Sequence, residues 1–335
     1  MRIKARVETV STKSYVLELL ESKRGQNISG VYIAEQLNVT RNAVWKAVKE
    51  LEKDGYKIKA VTNKGYCLFD DNDILSVQGM LPFLFDKKIS DKINIHSSLE
   101  STNKIAKELA ISGAEHGTII MADCQTVGKG RYNRKFFSPP GHGIYMSFIL
   151  RLTQRHWTTV PTLVTSYAAV SVCEAIETTT EKKPQIKWVN DIFINDKKIS
   201  GILTEAVTDY ESGNIQWIVI GIGINFTMPT AGFPEKIKDI AGSVFSEDKP
   251  TITRNQLAAE ITNRILNIEN NCDSNTMLAE YKKRLMMIGK RVIVTGLHES
   301  FEAIAVDIDE TGRLIVQKDN GDVISLLAGE ISIGA

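Results

Sequence analysis

The sequence predicts a multidomain α+β chain, and three observations predict it. Positive charge is concentrated in the first fifth of the chain, strands alternate with helices through the middle, and short glycine-separated strands close the end. At 335 residues the chain is too long for one small domain, and 43% hydrophobic with 24% charged residues suits a globular protein with substantial cores. The expected division is a helical module over 1–70, an α/β body over 71–286 and a small β domain over 287–335.

The net charge of +1 conceals a split. Residues 1–66 hold 13 Lys+Arg against 7 Asp+Glu, a balance of +6, which leaves −5 for the remainder. A basic module on a mildly acidic body suggests that only the first part meets a polyanion. The four cysteines, Cys67, Cys124, Cys173 and Cys272, share no CxxC or Cys/His spacing, which argues against a zinc site and a disulfide framework. No apolar leader and no run of roughly 18 apolar residues is present, so a cytoplasmic location without membrane contact is expected.

A short apolar helix pattern runs from Tyr15 to Leu20. Ile33, Ala34 and Leu37 then make one apolar face, Asn38-Val39 makes a tight break, and Thr40 is a good N-cap. Val44, Val48 and Leu51 recur at the spacing of a buried helical face. Two helices joined by so brief a turn form a helix-turn-helix whose outward face carries Arg41, Asn42, Trp45, Lys46 and Lys49. Residues 56–68 alternate like a hairpin, with Asn63, Lys64 and Gly65 near its turn and Lys57 and Lys59 on its arm, which makes a wing. On such a module Lys and Arg contact phosphates, and the early residues of the second helix, from Thr40 onward, read bases.

After a linker near 70–90, strands are expected at 117–123, 143–150, 185–195, 199–207 and 215–224, and helices at 102–112, 161–178, 253–270 and 276–286. Strand-like runs at 290–296, 301–308, 313–318 and 322–327, separated by turns with Gly296, Gly312 and Gly321, predict a small β-barrel.

Three segments carry chemistry. Gly128-Lys129-Gly130-Arg131-Tyr132-Asn133-Arg134-Lys135 follows an apolar strand, and its glycines let main-chain N–H groups approach oxygen atoms while its four cations favour carboxylate and phosphate. It is not a phosphate-binding GxxxxGK[ST] loop, because position 123 is Asp and a glycine follows the lysine. Lys187 stands in the otherwise apolar QIKWVNDIFIND run, a costly place for a lysine unless it meets an anion or reaches the edge. Gly221, Gly223 and Asn225 end another strand in a pattern that fits close approach of a nucleotide, although a dinucleotide fingerprint is incomplete.

In this order, the GKGR loop, the KWVND strand and the GIGIN strand resemble the biotin protein ligase family. The likeness extends to Ser101-Thr102-Asn103, Gln125, SGILTEA at 200–206 and the closing Gly329-Glu330-Ile331-Ser332. With the winged helix it covers nearly the whole chain and looks like the bifunctional type, ligase and biotin operon repressor. The resemblance implies a central catalytic domain with a mixed sheet, an SH3-like C-terminal barrel, and biotin and MgATP as substrates. It implies a biotin carboxyl carrier protein of acetyl-CoA or pyruvate carboxylase as acceptor, operator DNA of biotin genes and a homodimer as partners, and biotinyl-5′-AMP as corepressor. It places Ser101, Thr102, Asn103, Gln125, Lys129, Gly130, Arg131, Lys187 and Gly201 on biotin, and it makes Lys187, Arg131 and Lys129 catalytic, Lys187 at the reacting carboxylate and the other two in the loop over the adenylate. Gly128, Arg134, Asn190, Asp191, Gly221, Gly223 and Asn225 fall to the nucleotide. Mg²⁺ arrives with ATP rather than being fixed by the protein alone, with Asn190 and Asp191 as candidate contacts to the nucleotide or the metal and Asp191 as the candidate ligand.

The chain departs from the family's pattern in three places. Lys129 stands where many members have Arg, Val189 replaces the usual Pro, and Ser325-Leu326-Leu327 supplies no aromatic where some members stack one on adenine. An adenine contact is then aliphatic or comes from Phe136. Two alternatives stay open at this point: a lipoate ligase using the same adenylation logic, and a repressor whose body only senses its ligand.

Overall fold

The computed structural model describes residues 11–151, 161–208, 215–267, 274–295, 300–326 and 329–333. The chain divides into two compact units, one reaching Ser90 and including Thr253–Ala259, the other formed by Asp91–Ile252 and Glu260 onward.

The first unit begins with α1 (Thr12–Ser22), α2 (Gly30–Gln36) and α3 (Arg41–Lys53), then the hairpin β1 (Ile58–Val61) and β2 (Gly65–Leu68). Ser11, Ser29 and Thr40 each cap the following helix through a side-chain oxygen, satisfying one first-turn N–H. Asn38 takes the left-handed conformation (φ 50°) at the break between α2 and α3, which its short polar side chain tolerates. Val16, Leu20, Ile33, Val44, Val48, Leu51 and Leu68 form one buried core. At the hairpin turn Asn63 and Gly65 have positive φ, and a Cβ on Gly65 would lie 2.0 Å from the Ile28 carbonyl oxygen, so only glycine fits there. Beyond the hairpin comes the single-turn helix α4 (Val77–Met80), inside the stretch expected to be linker. Arg254 donates to Asp73 through Nε at 3.1 Å, and Asn255 accepts from the Ser76 N–H at 3.0 Å.

The second unit is built on a seven-stranded mixed sheet. Its strands are β3 (Ile93–His96), β4 (Thr118–Ala122), β5 (Gly143–Leu150), β6 (Gln185–Lys187), β7 (Asp191–Ile194), β8 (Lys197–Thr208) and β9 (Ile215–Asn225). They lie in the order β3-β4-β5-β9-β8-β7-β6; only β3 with β4 is parallel. All eight residues of β5 are buried, as a central strand covered on both faces requires. Helix α5 (Thr102–Ile111) packs Ala106 and Ala110 on Ile120, Ile149 and Val219 of the sheet. Helices α6 (Pro161–Thr179) and α8 (Ser274–Arg284) belong to it as well, whereas α7 (Arg254–Leu266) begins in the first unit and enters this one at Glu260.

Two differences from the expected elements matter for the site. The run 185–195 is not one strand: it folds back at Trp188–Asn190, so β6 and β7 pair with Lys187 opposite Asp191. Trp188 and Val189 are buried in that turn, which explains why the whole run looks apolar; their peptide bond is cis. Strand β3 lies just beyond the expected linker and has no counterpart among the expected strands.

The C-terminal strands β10 (Arg291–Thr295), β11 (Ser300–Ile308), β12 (Leu314–Gln317), β13 (Val323–Leu326) and β14 (Glu330–Ile333) form an antiparallel sheet in the order β13-β12-β11-β10-β14. The alternating burial of β10 keeps Val292 and Val294 inside. Gly296 and Leu327 of the expected turns and strands lie outside the described residues. The Asp309–Gly312 turn of this sheet meets the Trp188 turn, where the indole Nε1–H donates to the Gly312 carbonyl at 3.0 Å. Tyr281 Oη donates to the Val189 carbonyl at 2.9 Å.

Candidate functional site

A cavity of about 520 Å³ opens over β5, β9 and β8, bounded by the first turn of α5, the glycine loop, the Trp188 turn and β14. Its floor is polar. Ser101 sits at the N-cap position of α5 yet makes no cap hydrogen bond with its side chain. The first-turn N–H of Thr102 is instead satisfied by Gln125 Oε1 at 2.9 Å. Gln125 Nε2 donates to Ser138 Oγ at 3.0 Å, and Ser147, fully buried on β5, lies 2.8 Å from Thr102 Oγ1. Ser101, Thr102, Asn103 and Gln125, separated by up to 24 positions, thus meet at one place.

The glycine loop forms one wall. Gly130 N donates to the Arg134 carbonyl at 2.7 Å and Phe136 N to the Gly128 carbonyl at 2.9 Å, closing a tight turn in which Tyr132 is left-handed (φ 54°). Lys129, Gly130, Arg131 and Arg134 line the cavity; Gly128 does not, and a Cβ there would lie 2.3 Å from the Phe136 carbonyl oxygen. Gly128 serves the loop's own packing. Arg131 reaches Asn190 Oδ1 at 3.3 Å, while Asn190 Nδ2 donates to the Ile202 carbonyl at 2.7 Å. The loop is thereby tied to the Trp188 turn.

Lys187 and Asp191 line the cavity from paired positions on β6 and β7. Lys187 Nζ lies 5.8 Å from the Phe193 ring centroid. Sequence reasoning missed Lys198 on β8: it lines the same cavity, with Nζ 2.6 Å from Asp191 Oδ2. In the sequence it is one lysine of a DKK turn, and only the β7–β8 hairpin carries it back beside Asp191. Among the described lining residues, Lys129, Arg131, Arg134, Lys135, Lys187 and Lys198 face one carboxylate, Asp191. Such a lining attracts carboxylate and phosphate groups.

The strand glycines line the cavity and also make room for neighbouring side chains. A Cβ on Gly221 would fall 1.9 Å from Asn103 Oδ1, and one on Gly223 would fall 2.7 Å from the Phe136 ring. Gly201, opposite Gly223 on β8, has only contacts of 3.5 Å or longer at its Cβ position. These glycines admit Asn103 and Phe136, which then shape the cavity. Asn225 also lines it, and its Nδ2 donates to the Gly242 carbonyl at 2.9 Å, holding the 241–244 segment. Phe233, against Phe137 at 6.4 Å between centroids, adds an apolar part. No group of three or more His, Cys, Asp or Glu able to hold a metal ion occurs among the described residues.

Three family models match. The biotin/lipoate A/B protein ligase family covers residues 96–225, an HTH domain 12–67, and the biotin protein ligase C terminal domain 287–334. The bifunctional ligase/repressor BirA of Bacillus subtilis is 34% identical over 325 residues, spanning 95% of this chain and 98% of that protein. The chain belongs to this biotin protein ligase family. BirA of Escherichia coli K12 is 28% identical over 92% of the chain and 94% of its own length. A solved biotin protein ligase from Aquifex aeolicus, in complex with biotin and ATP, matches at 26% identity and a TM-score of 0.60, over 72% of this chain and 98% of that one.

In the family's N-terminal module the outward residues of α3, namely Arg41, Asn42, Trp45, Lys46 and Lys49, are all exposed, Trp45 at 49%. Thr40 Oγ1 accepts from the Ala43 N–H at 3.1 Å, and Lys64 is exposed at the wing turn. Lys49 is bound to Glu52 at 2.6 Å and Lys57 to Asp71 at 2.8 Å, which leaves Arg41 and Lys46 better placed to meet phosphate. No helix among the described residues is long and apolar enough to cross a membrane.

Proposed function

We propose that this chain activates biotin with ATP to biotinyl-5′-AMP, transfers the biotinyl group to one lysine of a biotin carboxyl carrier protein, and represses biotin genes through its winged helix. The carrying observation is the cavity itself, a polar floor ringed by six cations and one carboxylate. A cyclic urea needs donors and acceptors, and the two reacting anions need positive charge.

In the first step a biotin carboxylate oxygen attacks the α-phosphorus of ATP and pyrophosphate leaves; in the second a carrier lysine amine attacks the acyl carbon and AMP leaves. Neither step calls for a protein nucleophile. Lys198 and Lys187 screen the carboxylate from the phosphate and stabilise the charge that gathers on phosphate oxygens. Arg131 and Lys129 serve the same end from the loop, and Gly130 lets that loop approach closely. Arg134 is placed for the triphosphate, and Phe136 with Phe233 offers the adenine an aromatic surface. Mg²⁺ comes on the phosphates. Asp191 fits only a supporting role toward it, because Lys198 already engages its Oδ2.

Two winged-helix modules read an inverted repeat as a homodimer, strengthened by biotinyl-AMP. A cytoplasmic setting suits both activities. The test combines the chain with biotin, MgATP and a carrier domain, and expects one biotin-sized mass increase on a single carrier lysine. Carrier left unmodified after long incubation with folded protein, or equal labelling when lipoate replaces biotin, overturns the assignment.

A further inference from the structure

We infer that Glu205, held by Lys107, fixes the direction of the hydrogen bonds in the cavity floor and so acts as a positioning residue for the urea of the ligand, an inference that rests on the biotin reading. Asn103 is buried, and its amide lies 2.9 Å from Glu205 Oε2 and 3.3 Å from the Leu203 carbonyl oxygen. A carboxylate and a carbonyl only accept, so the group facing them is the Asn103 NH₂. Its Oδ1 therefore faces Ser147 Oγ, at 2.6 Å, and the Ser147 hydroxyl must donate to it. That hydroxyl has one proton. Toward Thr102 Oγ1, 2.8 Å away, Ser147 can consequently only accept.

The direction propagates. The Thr102 hydroxyl gives its proton to Ser147 or to Gln125 Oε1 at 3.2 Å, and either way shows the cavity lone pairs alone. Gln125 Oε1 also accepts from the Thr102 N–H, so its Nε2 is the donor group. One Nε2 proton goes to Ser138, whose hydroxyl donates onward to the Phe136 carbonyl at 3.0 Å. The other remains for the cavity. The floor thus offers an acceptor at Thr102 beside a donor at Gln125, the complement of a urea N–H next to its carbonyl. Lys107 Nζ, 2.7 Å from Glu205 Oε1, holds the carboxylate that starts the chain.

The test compares E205Q with K107M/E205Q in steady-state carrier labelling, with melting temperatures measured beside them. In E205Q, Lys107 keeps the side-chain oxygen and turns the new NH₂ toward the Asn103 NH₂. Asn103 then cannot satisfy Glu205's replacement and Leu203 together. The KM for biotin should rise about tenfold or more, with the KM for ATP within about twofold. In K107M/E205Q the Gln oxygen is released to face Asn103, and the KM for biotin should return to within about threefold of wild type. A merely structural role predicts additive damage instead. An unshifted biotin KM in E205Q, or a double variant no better than the single, overturns the inference. If E205Q does not fold, the double variant decides alone: folded with a biotin KM near wild type it supports the inference, and raised more than about tenfold it overturns it. Wild-type protein that labels nothing overturns the biotin reading and this inference together; a normal wild type beside unshifted variants overturns the inference alone.

Discussion

The outward face of α3 and the wall of the cavity use the same residue types for opposite electrostatic ends. On α3, Arg41 and Lys46 stand in water, where charge is screened within about a Debye length and costs little to keep. In the cavity, Arg131 is tied to Asn190 and Lys198 to Asp191, so the positive charge is fixed in place before any ligand arrives. The first arrangement suits a long polyanion whose position can slide. The second suits small anions whose reacting atoms must be held to fractions of an ångström.

The largest expected effect is in the wall. Lys198→Ala or Lys187→Ala should lower kcat/KM for biotin-dependent ATP–pyrophosphate exchange by about 10²–10³-fold and leave operator binding unchanged in the absence of ligand. A loss below about threefold would mean that these cations merely fill space. Next comes α3, where Arg41→Ala with Lys46→Ala should weaken operator binding by about 10–100-fold at low salt, and by less as salt rises, with carrier labelling intact. Unchanged binding in an electrophoretic shift series would remove α3 from the interface.

Gly223→Ala tests whether the aromatic wall is pre-set by its glycine. The added methyl would meet the Phe136 ring at 2.7 Å and push it into the cavity, raising the KM for ATP about tenfold in exchange assays. An unchanged KM would show that Phe136 is not part of the nucleotide surface.

The smallest effect separates the two units by pH. Burial pushes the Glu21 carboxyl up despite Arg24 at 2.5 Å, so the native first unit holds that proton more tightly than the unfolded chain. Stability from Glu21 is present below the ordinary carboxylate value and falls as pH rises through the raised one. At Asp309 burial also pushes upward, but hydrogen bonds from Thr311, the Arg313 N–H and Ser325 outweigh it and hold the carboxyl low. That stability is present above the ordinary value and is lost as pH falls through the lowered one. Urea unfolding at about pH 7 and about pH 3 should show Asp309→Asn costing about 1 kcal/mol at the higher pH and less at the lower. An equal cost at both would remove the charge from the account.

Periodicity made much of this architecture legible. The i, i+4, i+7 spacing of Val44, Val48 and Leu51 placed α3, and the apolar run over 143–150 placed β5 with the same bounds. What stayed hidden depended on contacts between distant residues. A buried turn reads like a buried strand, so Trp188 and Val189 disguised a hairpin and set Lys187 mid-strand instead of at its end. Lys198 was invisible because a DKK turn looks solvated until its hairpin partner is known. The glycines at 221 and 223 were legible as places of close approach, but not that the side chains of Asn103 and Phe136 come close to them.

The tryptophans give each activity its own optical signal. Trp45 projects half-exposed from α3, where stacking or shielding by nucleic acid would change its emission. Trp188 is 4% exposed at the cavity edge, its indole N–H held by the Gly312 carbonyl, so its emission is that of a dry, fixed ring until ligand alters the wall beside it. Trp217 is sealed in the sheet core and should respond to neither, and Trp157 lies outside the described residues. Occupancy of the cavity and of the DNA face can therefore be followed in one cuvette, without labels, as two differently coloured transitions.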